Sequence, residues 1–389
     1  MEKIKIGIIG IGNMGTSHAK NILIKKLCPQ IELVAVADVN PDRLAWAEEN
    51  LPGVQRFDTA EAMLDSGLLD ACIVAVPHYD HTHYAMECFK RHIHVMVEKP
   101  AGVYTKQVRE MNEAAQKSDV VFGMMFNQRT NPMYIKMREI MMSGELGQLR
   151  RCNWLITNWF RSQFYYDSGD WRATWSGEGG GVLLNQCPHN LDLWQWICGM
   201  PVSVDVKMHF GKWHDIEVED DVVAYVEYAN GAVGTFITTT ADCPGSNRFE
   251  VVCEKGTMIA DAVSKTLTVI RLDASLGEFT GYGHEKGAFG SPAKTQEVFT
   301  FDNSGPAHPA VLNAFADAIL NGGSLIAAGE EGINGLTLSN AMHLSAFLGK
   351  PVELPLDEDL YYEELMKRVK TSRKKDGISA AVSDTSGTY

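Results

Sequence analysis

Through the first third of the chain, short apolar runs alternate with stretches whose apolar residues recur every three or four positions. The runs at 4–9, 32–37, 71–76, 93–97 and 120–124 read as buried strands. The amphipathic stretches near 14–26, 41–50, 59–66, 80–91 and 105–117 read as helices. Continuous apolar strands separated by helices predict a parallel sheet covered on both faces. Asn131-Pro132 then opens an amphipathic helix to about Ser143, and Gly144 and Gly147 close it. From residue 148 the rhythm changes. Segments 148–160, 202–210, 220–228, 232–240, 246–253, 257–261, 266–272 and 296–302 are β-rich, with hairpin signals such as Asn230-Gly231. A helix at 182–198 interrupts them, and helices near 307–321 and 329–348 follow.

This pattern predicts an α/β plus α+β chain of three parts. Residues 1–126 form a doubly wound parallel sheet, 127–370 an α+β domain with a mostly antiparallel open sheet, and 371–389 a small, polar, mobile tail. A length of 389 residues agrees with two cores rather than one. With 45% hydrophobic and 22% charged residues the composition is that of a globular protein. The formal charge of −14 argues against nucleic acid and anionic membrane as partners.

The eight cysteines (28, 72, 88, 152, 187, 198, 243, 253) are scattered, form no C-x-x-C pair and mostly sit in apolar runs. They read as small core residues in a reducing compartment. His78, His81 and His83 cluster without the flanking cysteines or carboxylates of a zinc site, so no metal is expected. No apolar run approaches the ~20 residues that span a bilayer. The first strand begins at residue 4, which leaves no room for a signal peptide. A cytoplasmic location is expected.

The strand at 4–9 runs straight into Gly10-Ile-Gly12-Asn13-Met14-Gly15. A glycine turn of this spacing is weak evidence alone, but here a strand precedes it, a helix follows and Asp38 closes the second strand. That context is the fingerprint of a dinucleotide-binding βαβ unit, the Rossmann motif. Gly10 permits the tight turn, Gly12 admits a pyrophosphate to bare backbone, and Gly15 lets the helix pack close to the strand. The helix N-terminus then offers unpaired N–H groups and a positive dipole to phosphate. A carboxylate at position 38 accepts both ribose hydroxyls and repels a 2′-phosphate, which favours NAD over NADP. Asn40 and Arg43 follow closely, and an arginine there can assist NADP.

Three further clusters carry chemistry. Glu98-Lys99-Pro100 lies at the carboxyl end of a strand, where open α/β sheets bind ligands, and the proline stiffens that turn. Gly179-Gly180-Gly181 leads to Asn185, His189 and Asp192, beside an apolar stripe of Leu184, Cys187, Leu191, Trp194 and Cys198. On one helix, Asn185 and His189 at i and i+4 share a face, and Pro188 predicts a kink beside His189. The same spacing equally describes a satisfied core histidine. The third cluster, Trp159 to Trp175, interleaves aromatics with Arg and Asp. That mixture suits a pyranose, with rings against C–H faces and charges on hydroxyls, and it also suits a loop packed onto the sheet. Tyr165, Tyr166, Trp171 and Arg172 are its candidate substrate contacts.

Taken together, the glycine fingerprint, Asp38, Ala75-Val76-Pro77 with His81, Glu98-Lys99-Pro100 and the triple glycine before His189 resemble the glucose–fructose oxidoreductase/inositol dehydrogenase family (Gfo/Idh/MocA) over roughly residues 4–355. The resemblance implies a Rossmann domain and a sheet domain whose open face makes homodimers or homotetramers. It implies NAD(P)-linked oxidation or reduction of sugars and cyclitols. Lys99 would bind and polarise the reacting hydroxyl and His189 would move its proton, with Asn185 and Asp192 in support. The cofactor would lie along Gly10, Gly12, Asn13, Met14 and Gly15, then Asp38, Val39, Asn40 and Arg43. Ala75, Pro77, His78 and His81, and finally Glu98, Lys99 and Asn127, would complete its site. Asn185 and His189 would also touch substrate. One departure stands out: the inositol dehydrogenase branch has an aspartate where this chain has Asn185, and an amide orients an imidazole without stabilising its charged form.

The favoured expectation is a dehydrogenase that oxidises a glucose-type pyranose or glycoside at C3 to a 3-keto sugar. Inositol 2-dehydrogenation is the nearest alternative. The resemblance also admits an NAD-dependent glycosidase acting by transient oxidation, and a non-catalytic NAD(H)-binding regulator.

Overall fold

The structure is a computed structural model that describes residues 2–282, 287–302, 307–373 and 375. Strands β1 (Ile4–Ile9), β2 (Ile31–Ala37), β3 (Gln55–Phe57), β4 (Ala71–Val74), β5 (His94–Val97) and β6 (Phe122–Met124) pair in the order 3-2-1-4-5-6. Every pairing in this sheet is parallel. Helices α1 (Asn13–Ala19), α2 (Pro41–Asn50), α3 (Ala60–Leu64), α4 (His81–Lys90) and α5 (Thr105–Gln116) connect the strands. The strand order reverses between β1 and β4, and a crevice opens at such a point beyond the carboxyl ends of the strands. The expected parallel sheet is present, with β3 added. Three residues are too few to carry a hydrophobic period.

After α6 (Pro132–Ser143) comes a nine-stranded mixed sheet. Its members are β7 (Leu149–Ile156), β8 (Ser203–Phe210), β9 (Glu219–Glu227), β10 (Val233–Thr239), β11 (Asn247–Cys253), β12 (Gly256–Asp261), β13 (Thr266–Leu272), β14 (Lys294–Thr300) and β15 (Val352–Glu353). They run in the order 14-13-12-11-7-10-9-8-15. Only β7 and β10 are parallel neighbours. One face is the core, where Trp154 stacks on Phe249 at 4.2 Å and Trp194 on Phe236 at 5.0 Å. The other face is open: Leu155, Val223 and Tyr225 alternate outward and stay exposed.

The remaining helices are α7 (Gln163–Asp167), α8 (Pro188–Cys198), α9 (Leu276–Tyr282), α10 (Ala307–Asn321), α11 (Gly332–Leu348) and α12 (Glu358–Val369). The helix read at 182–198 is shorter than expected. Residues 182–187 are a chain of turns, and Pro188 opens α8 at its first position, where its missing N–H is no loss, instead of kinking it. Helix α10 returns to the first sheet: Val311, Leu312, Phe315 and Ala316 pack with Ile4, Ile6 and Ile8. The first residues of the segment read as a mobile tail are tied down. Arg373 N donates to Glu217 at 2.9 Å and Lys375 Nζ to the Tyr166 carbonyl at 2.8 Å. Lys374 and residues 376–389 lie outside the described residues. No helix among the described residues is long and apolar enough to cross a membrane.

Candidate active site

The glycine turn has the geometry its sequence calls for. Gly10 sits at φ +84°, and a Cβ on Gly15 would stand 1.9 Å from the Gly10 carbonyl oxygen. Nothing lies within 4 Å of where a Gly12 Cβ would be, so bare backbone faces an open cradle at the start of α1. Asp38 braces this turn, accepting from Ile11 N at 2.8 Å and Asn40 N at 2.9 Å. Arg43 is committed to the same turn: it donates to the Ile11 carbonyl at 2.8 Å and Thr16 Oγ1 at 2.7 Å, and lies over the Trp46 ring. Asn40 caps α2 through Asp42 N at 2.9 Å. Asn13 and Met14 are partly exposed and Val39 fully exposed along this edge. The residues fit a bound dinucleotide: an open backbone cradle, a carboxylate, and no arginine held free for a 2′-phosphate.

Ala75 and Pro77 line the partly exposed end of β4. His78 is buried, with Nδ1 3.2 Å from the Glu178 carbonyl oxygen and its ring edge-on to Trp171 at 5.9 Å. The aromatic segment therefore folds back over the crevice. His81 differs from its expected role. Its two ring nitrogens lie 2.6 Å from the Pro100 carbonyl oxygen and 2.8 Å from that of Val76, so the ring clamps two turns together. Asn127 is buried beyond β6, and its Oδ1 has no hydrogen-bond partner among the described residues.

Glu98 also turns away from the crevice. Its Oε1 lies 2.7 Å from His18 Nε2, both groups buried. Burial pushes the Glu98 carboxyl up, but the His18 bond and the charges of His18, His308 and Lys99 outweigh it and hold it at about 2. Lys99, next in sequence, is half-buried and donates from Nζ to the Asn185 carbonyl at 3.1 Å. Burial lowers its pKa from the ordinary lysine value, opposed by Glu98 and Glu178.

His189 lies in the first turn of α8, 3% exposed, with the Phe126 ring edge-on at 6.3 Å. Neither ring nitrogen has a hydrogen-bond partner among the described residues. A satisfied core histidine would have at least one, and this ring departs from that pattern. Burial and then the Lys99 charge press its pKa well below 6.5, so it stands neutral and able to accept a proton at pH 7.

Two support residues part company. Asp192 does not reach His189: it is buried and held bidentately by Arg129, at 2.8 Å from Nε and 2.7 Å from Nη2. Arg129, in the turn before α6, also meets Glu331 at 2.7 Å. Asn185, in the turn before α8 rather than on it, joins everything else. Its Nδ2 donates to Glu178 Oε1 and, at 3.2 Å, to the Tyr165 hydroxyl. Tyr165 also receives Arg172 Nη1 at 2.9 Å and Gln186 Nε2 at 3.3 Å. The Arg172 guanidinium lies over Tyr165 and Trp171 at 4.7 and 4.5 Å. Tyr166 is a core residue, 2% exposed, with its hydroxyl 2.8 Å from Thr240 Oγ1. The aromatics that do stand exposed in this segment are Phe160 and Phe164.

Sequence reading missed Glu178 and Glu219. Glu219 on β9 accepts from Gly181 N at 2.8 Å and Leu183 N at 2.9 Å, which fixes the turn that carries Asn185. A Cβ on Gly181 would meet the Glu219 carbonyl oxygen at 2.0 Å. Both acids act across space, and their only signal in the chain is the triple glycine they surround.

Comparison with known proteins agrees with this geometry. Residues 4–126 match the model of an oxidoreductase family with an NAD-binding Rossmann fold, and residues 134–259 match the GFO/IDH/MocA C-terminal domain. Myo-inositol 2-dehydrogenase of Thermotoga maritima is 28% identical over 275 residues, 69% of this chain and 78% of that protein. D-glucoside 3-dehydrogenase of Escherichia coli is 28% identical over 259 residues, 59% of this chain and 68% of that protein. The WlbA dehydrogenase of Bordetella pertussis, solved with NADH and UDP-GlcNAcA, superimposes with a TM-score of 0.75 at 26% identity, over 92% of this chain and 100% of that one.

Proposed function

The chain belongs to the GFO/IDH/MocA family of NAD-binding oxidoreductases that act on CH–OH groups, and from that premise we propose that it oxidises a glucose-type pyranose or glycoside at C3. The observation that carries this reading is the segment Trp159 to Trp175. It brings Tyr165 and Arg172 to the Asn185 turn that holds Lys99, and leaves Phe160 and Phe164 exposed alongside as a platform for an aglycone. The Escherichia coli relative, a D-glucoside 3-dehydrogenase, supports the same reading. The first unit holds the cofactor and the second the substrate.

In the mechanism, Lys99 donates a hydrogen bond to the reacting oxygen and holds it beside His189. His189, neutral and unpartnered, takes the hydroxyl proton as the carbinol carbon becomes a ketone. The cradle of Gly10, Gly12 and Gly15 with Asp38 would hold NAD, which would supply the hydride acceptor for that carbon. Asn185 fixes Lys99, and the Tyr165–Arg172 pair binds neighbouring hydroxyls. The unpaired cysteines suit a reducing, cytoplasmic setting. The open sheet face serves a homodimer or homotetramer.

A panel of glucosides, free hexoses and inositols with NAD and NADP tests the proposal, read by absorbance of the reduced cofactor and NMR of the product. A glucoside converted to its 3-keto product with NAD, at higher kcat/KM than myo-inositol, is expected. The second reading, inositol oxidation, is favoured by the Thermotoga maritima relative. Preference for myo-inositol over every glucoside would establish it instead.

A further inference from the structure

We infer that Glu178 is a positioning residue of this centre, a buried carboxylate that holds the Asn185 turn to which Lys99 is bonded. Glu178 closes the turn before the triple glycine and is 1% exposed. Its Oε2 accepts from Ala173 N at 2.6 Å, and its Oε1 accepts from Asn185 Nδ2. Asn185 is thus tied by its side chain to Glu178 and by its backbone carbonyl to Lys99 Nζ. Two other buried acids nearby are already engaged: Asp192 of α8 by Arg129, and Glu219 of β9 by the backbone of Gly181 and Leu183 and by His343. Glu178 therefore fixes the residue that holds Lys99, and its charge also acts on Lys99 directly.

The groups facing Glu178 decide when that carboxylate exists. Arg172, Lys99 and Lys375 are its cationic neighbours; Glu219, Tyr165 and Tyr166 are the acidic and phenolic ones. His78 contacts only its backbone oxygen. Burial is the largest effect and Glu219 adds to it, while Arg172, Ala173 N and Asn185 oppose, leaving the carboxyl raised to about 7. Glu178 therefore passes from acid to carboxylate across neutral pH, and the carboxylate accepts more strongly from Asn185 and favours a positive Lys99. His189 and Lys99 both have lowered pKa values, and His189 lies well below this range.

The role rests on the proposed oxidation, but part of its test does not. In protein labelled with ε-13C lysine, the Lys99 resonance, assigned by its loss in Lys99→Met, is followed against pH. An inflection near neutrality that disappears in Glu178→Gln and survives, displaced, in Glu178→Asp is expected. A Lys99 resonance without that inflection, or one unchanged in Glu178→Gln, overturns the proposal whether or not any substrate is turned over. With an active substrate, kcat/KM of Glu178→Gln should fall about tenfold at about pH 8 and under about twofold at about pH 6, the size of a one-unit coupling. An acid limb that persists unchanged in Glu178→Gln also overturns it. Absence of oxidation with every substrate refutes the proposed function and leaves the Lys99 titration to decide this one.

Discussion

At the scale of single residues, the proposed site pairs a half-buried lysine with a buried histidine, and burial lowers the pKa of both. A buried neutral imidazole with two unpartnered nitrogens is a ready base, and an ammonium bonded to one carbonyl has two donors left for substrate. Lys99→Met and His189→Ala should each lose at least ~100-fold in turnover, the low end for general acid–base catalysis. Both should still bind NADH with near-normal affinity, measured by fluorescence titration, because neither braces the glycine turn. Near-normal turnover in both variants would remove them from the chemistry. Glycine and proline draw attention to Lys99, Asn185 and His189 in the chain, and the structure brings Lys99 and Asn185 into contact. Tyr166 and Asp192 were misjudged for one reason. Sequence spacing says which side chains are neighbours along an element, but not which partner across space has already taken them: Thr240 in one case, Arg129 in the other.

Among the elements, the turn from Gly179 to Cys187 governs the site, and it was the element least visible in the sequence. The apolar residues Leu184 and Cys187 continue the stripe of α8 because they too are buried, so periodicity extended the helix six residues too far. What separates turn from helix is Pro188 together with the Glu219 carboxylate, which takes the backbone N–H groups of Gly181 and Leu183. Long-period elements such as β1, β2, α5 and α11 were legible, whereas β3 and β15 are too short to show a period. Helix α12 carried a readable start in Asp357, which caps Leu360 N at 3.0 Å, and was passed over. Gly181→Ala should destabilise the protein by about 1–3 kcal/mol, the range for overpacking, seen as a lower urea midpoint at unchanged slope. An unchanged midpoint would mean that the turn can retreat from β9.

For the whole molecule, the exposed row across the second sheet is the main unfinished surface. Val223 on β9 pairs with Ile237 on β10, which pairs with Leu155 on β7, so three apolar side chains lie abreast on the open face, with Tyr225 two residues along. The proposed association between copies of the chain would use this row. Val223→Glu with Tyr225→Lys should therefore shift the mass measured by light scattering to that of one chain while leaving the NADH affinity intact. An unchanged mass would assign assembly to another face. Helix α10 has a different kind of consequence, one that plays out in time. Because Val311, Leu312 and Phe315 complete the cover over β1 that Ala19, Ile22, Ala47 and Leu51 begin, part of one side of the first sheet stays uncovered on the ribosome until more than three hundred residues have emerged. The nucleotide-binding half is the first to be synthesised and among the last to be finished, so the nascent chain carries an adhesive isoleucine-rich surface through most of its own translation.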